Sequence, residues 1–126
     1  PTTKPSAPTN SQPGTNAAAK PQTLPTLIVR KLWQTGQCGS GEGEFAKPRG
    51  VAVCRCGQIY VADTGNHRIV KLDASGKFIT AWGSAGDGPD QFEEPFDVAV
   101  APDNTVWVLD SVLQQLKHFT PAGKLI

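Results

Sequence analysis

Residues 45–83 read FAKPRGVAVCRCGQIYVADTGNHRIVKLDASGKFITAWG. Four short apolar runs, GVAV, IYVAD, HRIVKLD and FITAWG, are separated by turn residues. The same frame then begins again 47 residues on. FAKPRGVAV at 45–53 returns as FEEPFDVAV at 92–100, IYVAD at 59–63 as VWVLD at 106–110, and ASGKFI at 74–79 as PAGKLI at 121–126. A period of about 40–50 residues with four strands per unit is the mark of a β-propeller blade. The expected fold class is therefore all-β, built from blades of four antiparallel strands, with about two blades present.

Working outward, residues 45–83 form blade one and 92–126 an incomplete blade two. LIVRKLWQ at 27–34 parallels KFITAWG at 77–83 and reads as the fourth strand of a preceding blade. Residues 1–26 are mostly Pro, Thr, Ala, Ser and Asn, with no aromatic residue. Such a segment cannot bury enough apolar surface to offset its ordering entropy. It is expected to be a disordered, extended linker.

GVAV, IYVA and their repeats are apolar at consecutive positions, which fits strands buried on both faces. HRIVKLD mixes in Arg68 and Lys71, so exposure should grow from the second strand outward. Trp33, Trp82 and Trp107 read as blade packing within strands, and Phe45 and Phe92 as plugs between blades. The connections at 35–48 and 84–95 are Gly-rich surface loops. No helical pattern follows either loop, as a phosphate cradle would require.

The chain has 126 residues and a net charge of +1, which gives no electrostatic case for nucleic acid or an anionic membrane. It has no run of 18 apolar residues, so this segment should not insert into a membrane. The polar start resembles no signal peptide, and a chain without any Met reads as a piece of something longer. Its three cysteines, Cys38, Cys54 and Cys56, make no disulfide framework. Cys54 and Cys56 stand too close in sequence for an ordinary bridge, and a lone C-x-C falls short of a zinc site. They read as free thiols beside a hairpin turn.

The D-x-x-N-H-R-I stretch at 63–69, within the P-x-G-V-A-V, I-Y-V-A-D and K-F-I-T-A-W-G frame, resembles an NHL repeat. The resemblance runs from about residue 32 to 126. The second copy, DSVLQQL at 110–116, keeps Asp110 and Leu116 but has no Asn-His-Arg. NHL repeats form six-bladed propellers, so the resemblance implies either a fragment of a larger protein or three copies completing a ring. The fragment is favoured, because the chain stops partway through a strand and leaves an open edge. Family members of this layout imply a bacterial extracytoplasmic, cell-envelope setting.

Asp63, Asn66, His67, Arg68 and Asp110 are expected to be structural. They sit at the turn between second and third strands, where an Asp accepts backbone N–H bonds and pairs with Arg. Peptide-amidating lyases share this propeller and bind zinc through a Pro-His pair at the first strand. The matching dipeptides here are Pro48-Arg49 and Pro95-Phe96, without the histidine. The acidic cluster of Asp87, Asp90, Glu93, Glu94 and Asp97 matches no calcium loop. No catalytic residue, metal or cofactor is therefore assigned.

NHL domains of the tripartite-motif type bind RNA on a positive face. The corresponding rim here is dominated by carboxylates, which disfavours nucleic acid. The expected function is a non-catalytic binding or scaffold module for a protein, peptide or glycan. Glu44, Arg49, Asp87, Asp90 and Asp97 are the candidate ligand-facing rim residues. The alternatives are a propeller enzyme, such as a metal-dependent lyase or hydrolase with its ligands on other blades, and an RNA-binding propeller.

Overall fold

Each run of β-branched and aromatic residues ends at a turn that reverses the chain. After Val53, the amide of Cys54 donates to the Gln58 carbonyl at 2.9 Å and that of Gly57 to the Cys54 carbonyl at 2.9 Å. Gly57 turns the corner with φ of 88°. The second repeat makes the same turn between Ala101 and Thr105, with Asn104 at φ of 69°. Asn tolerates this left-handed conformation better than most side chains.

The computed structural model describes residues 32–126. The expected linker at 1–26, and most of the strand expected at 27–34, lie outside the described residues. Two short strands, β1 (Gln37–Cys38) and β2 (Glu44–Phe45), pair in parallel. The first antiparallel sheet then follows in sequence order: β3 (Pro48–Val53), β4 (Ile59–Asp63), β5 (Arg68–Leu72) and β6 (Phe78–Trp82). The second holds β7 (Pro95–Val100), β8 (Val106–Asp110) and β9 (Gln115–Phe119), with a bridge from Phe119 to Leu125 starting a fourth strand. These are propeller blades of four antiparallel strands, and the chain is a partial propeller of about two.

Strand alternation gives each blade two apolar faces. In blade one, Val51, Ile59 and Val61 share the front, while Ala52, Tyr60, Ala62 and Ile69 share the back with Trp82. Blade two sets its front, with Val98, Val106 and Val108, against that back. Phe92 and Phe119 complete the core, and both are fully buried. Trp82 stands between Tyr60 and Phe119, at ring-centroid distances of 6.2 and 5.7 Å. The first strands approach so closely that a Cβ at Gly50 would lie 2.8 Å from the Asp97 Cα. Glycine is required there.

The structure departs from the sequence reading in four places. The first strand of blade one is not buried on both faces: Val51 and Val53 are 64% and 60% exposed, because no neighbour among the described residues covers the front. In blade one exposure does not grow from the second strand to the third, although in blade two it does. In β5, Ile69, Val70, Lys71 and Leu72 are all buried, since packing reaches the third strand from both sides. Lys71 donates from Nζ to the Pro121 carbonyl at 2.8 Å. Trp33 lies in no strand, although its ring packs where a Cβ of Gly76 would be. Finally, Cys54 and Cys56 are joined as a disulfide and are not free thiols. The hairpin turn brings their Cα atoms to 5.2 Å, within bridging range despite their nearness in sequence. Cys38 is free and exposed.

Candidate functional site: the loop rim

The turn after β4 is a 3-10 helix, Thr64–Asn66, closed by His67 in the left-handed conformation. That geometry folds the polar residues of 63–68 back over the fully buried carboxylate of Asp63. Its Oδ1 accepts from the Ala46 amide at 2.7 Å. Its Oδ2 accepts from Asn66 Nδ2 at 2.9 Å and from Arg68 Nε at 2.7 Å. Arg68 then uses its other nitrogens on the loop ahead of the blade, donating to the carbonyls of Ser40, Gly41 and Glu44 at 2.9–3.0 Å. Asn66 also donates to Gly39 O at 2.8 Å. One buried carboxylate thus organises a cation and an amide that together grip residues 39–46.

Asp110 holds the equivalent place in blade two with a different set of donors. It accepts from the backbone amides of Glu93 and Glu94 and from those of Val112 and Leu113, at 2.8–3.3 Å. No cation meets it. The loop ahead of this blade is gripped instead by Lys117, whose Nζ donates to Gly88 O at 2.9 Å and Gln91 O at 2.5 Å.

The two loops share a backbone design. Gly39 N donates to Phe45 O and Gly86 N to Phe92 O. Glu44 accepts from the Gly41 amide at 2.8 Å, and Gln91 accepts from Gly88 at 3.1 Å. The Gly41 amide, followed by Gln37 Nε2, holds the Glu44 carboxyl below its ordinary value of 4.5.

Of the candidate rim residues, Glu44 is therefore engaged within its own loop. Arg49 lies 5.3 Å from the Phe96 ring and 3.7 Å from a Glu94 carboxylate oxygen. Asp97 accepts from the amide of Val98 and abuts Gly50 near the first strands. Asp87 and Asp90 are exposed on the 84–92 loop. His67 stands apart from the Asp63 group: its Nδ1–H donates to Glu93 O at 2.8 Å, a strut to the next blade. The sequence reading missed Gln91 and Lys117. The 47-residue offset from Glu44 identifies Gln91. Lys117 answers to Val70 and carries no such signal. Among the described residues, no three His, Cys, Asp or Glu side chains gather as a metal-binding group.

Residues 45–72 match the NHL repeat family. The chain is 54% identical over 43 residues to the B-box type zinc finger protein ncl-1 of Caenorhabditis elegans, which covers 34% of this chain and 5% of that protein. It is 51% identical over 43 residues to Protein brain tumor of Drosophila melanogaster, covering 34% and 4%. It is 38% identical over 52 residues to human NHL repeat-containing protein 3, covering 40% and 15%. The matched stretch is thus a small part of each relative. Among solved structures, a gluconolactonase from Xanthomonas campestris superposes with a TM-score of 0.50 at 21% identity, covering 65% of this chain and 27% of that one. At that identity the likeness concerns the fold alone.

Proposed function

We propose that this chain, whose residues 45–72 are an NHL repeat, contributes blades to a six-bladed propeller that binds a protein, peptide or glycan through its rim loops and catalyses nothing there. The observation that carries this reading is how the polar residues are used. Asp63, Asn66, Arg68 and Asp110 have the strongest look of chemistry, yet the bonds described above turn each of them toward the loops it holds. The side chains presented outward are mainly acidic: Glu42, Asp87, Asp90 and Glu93 against Lys47. Arg49 lies 3.7 Å from a Glu94 carboxylate oxygen.

Loops fixed in this way form a preorganised acidic surface. It suits a ligand rich in ammonium, guanidinium or hydroxyl donors and repels a phosphate backbone. A polypeptide with a basic segment is the partner that fits best, and nucleic acid is disfavoured on the same electrostatic ground.

The test is a titration of the chain with an array of Lys- and Arg-rich peptides and, separately, with single-stranded RNA at low salt. Basic peptides should bind, and the double substitution Asp87→Asn with Asp90→Asn should weaken them without unfolding the blades. Tight RNA binding that falls steeply as salt rises would overturn the reading in favour of an RNA-binding propeller.

A further inference from the structure

The CRCGQ corner at 54–58 joins the first two strands of blade one, and its bridge from Cys54 to Cys56 encloses a single residue, Arg55. Blade two makes the same corner from APDNT at 101–105, without sulfur. The backbone bonds are equivalent. Ala101 N donates to Thr105 O and Asn104 N to Ala101 O, as Cys54 N does to Gln58 O and Gly57 N to Cys54 O. Where blade one has Cys56, blade two has Asp103, whose Oδ1 accepts from the amide and the hydroxyl of Thr105 at 3.0 and 2.6 Å. The corner therefore forms without a bridge. Stabilisation by a disulfide grows with the length of chain it closes, and this one closes almost none. Opening it leaves both backbone bonds of the turn in place.

The two sulfurs stand in different surroundings. Cys54 is part of the core, at 5% exposure. Cys56 is exposed at the corner, with its Sγ 3.6 Å from Gln58 Oε1. An acceptor is thus already in place for the S–H that reduction creates. Arg55 is exposed, carries the sole charge of the CRCGQ turn, and makes no ion pair among the described residues. A cation beside a cysteine favours the thiolate, the form that attacks a disulfide and the form that leaves one.

We propose that Cys54–Cys56 is a thiol–disulfide exchange site, whose ligand is a thiol and whose attacked sulfur is Cys56. An incoming thiolate attacks Cys56 Sγ. The bond between the two cysteines breaks, and Cys54 takes the electron pair and then a proton from water. A second thiolate attacks the incoming sulfur of the mixed disulfide, releasing a small disulfide and leaving Cys56 as the thiol. The bridge is reduced by two electrons and two thiols are oxidised to one disulfide. In reverse, Cys56 attacks an external disulfide and Cys54 displaces the mixed intermediate to close the bridge. Exposed disulfides on which a fold does not depend are the labile ones. β3 runs from the 35–48 loop to this corner, so the site lies at the opposite end of blade one from the acidic rim. It stands or falls independently of what the rim binds.

The test uses the 126-residue chain carrying Cys38→Ser, which leaves this pair as its only cysteines. The chain is equilibrated with reduced and oxidised glutathione in varying ratio, quenched by alkylation and weighed. The bridge should open and reclose reversibly with the ratio, and circular dichroism should not change. In the same background, Cys54→Ser should accumulate a glutathione adduct on Cys56. Cys56→Ser should leave Cys54 unmodified over the same time until denaturant is added. Arg55→Gln should slow opening several-fold at low salt, a difference that vanishes as salt screens the charge. Replacing glutathione by a peptide with two thiols separates the sources of the ligand: faster opening by the peptide assigns a protein-borne thiol, and faster opening by glutathione a small one. A bridge that stays closed in excess reduced glutathione until the chain unfolds overturns the proposal. So does equal modification of Cys54 and Cys56 in the folded single-cysteine variants.

Discussion

Blade one grips its leading loop with Arg68, at the first position of β5, and blade two grips the equivalent loop with Lys117, at the third position of β9. The cation has moved two residues along the strand and changed type, yet the loop it holds keeps the same bonds from Gly39 or Gly86 to the following Phe. The buried Asp stays in place in both blades and in both accepts the backbone amide that follows the loop Phe, Ala46 or Glu93; its other clients differ, a side-chain amide and a guanidinium in blade one and further backbone amides in blade two. What the fold requires is an acceptor at residue 63 or 110 and some cation over the loop carbonyls. The Asn-His-Arg triplet is one way of meeting that requirement.

The largest effect that can test this contrast is removal of the acceptor. Asp63→Ala strands Arg68 without its buried partner and should cost about 3–5 kcal/mol of stability in denaturant unfolding. Asp110→Ala leaves only backbone amides unsatisfied and should cost less, about 1–3 kcal/mol. Equal losses would mean that the guanidinium adds nothing to the clamp, and the comparison would fail.

Next come the cations. Arg68→Gln and Lys117→Gln should each cost about 1.5–3 kcal/mol, the range for hydrogen bonds to charged groups. Each should act on its own loop. Hydrogen exchange at Gly39 should accelerate only in the first variant, and at Gly86 only in the second.

A third test uses Glu44 against Gln91. The folded-state pKa of Glu44 is depressed, chiefly by the Gly41 amide. Its contribution is therefore complete above the ordinary value of 4.5 and is lost as pH falls through the lowered value. The amide resonance of Gly41 should shift in that acid range while that of Gly88, bonded to a group that does not titrate, stays flat. Glu44→Gln should abolish the Gly41 response.

The smallest effect concerns the hairpin corners. Asn104→Gly gives blade two the residue that blade one already has at Gly57, and it should change stability by no more than about 0.5 kcal/mol.

Much of the fold was legible because the 47-residue spacing aligns strands, turns and loops at once. The spacing locates β3 against β7 and β4 against β8, and it pairs Asp63 with Asp110. The exposures misread from sequence share a physical cause. Apolar runs report that a strand can be buried, and burial depends on whether a neighbour stands on that face. Val51 and Val98 have the same sequence context; one is mostly exposed and the other is core. The Cys54–Cys56 bridge was missed because separation along the chain sets no lower limit once a tight turn folds the two side chains together. The rim was legible in its charge but not in its connections. Glu44 and Arg49 read as outward-facing, and the structure gives both of them partners within the chain.

By itself the sequence determined the blade as the unit, its period, the invariant aspartate and the acidic balance of the rim loops, because these depend on residue type and spacing along one strand. Which apolar faces are core, which cation holds which loop, and which loop carbonyls Asn66 and Arg68 reach were set by tertiary structure. Those outcomes depend on what stands opposite each side chain, and the opposing group comes from a loop or a blade tens of residues away.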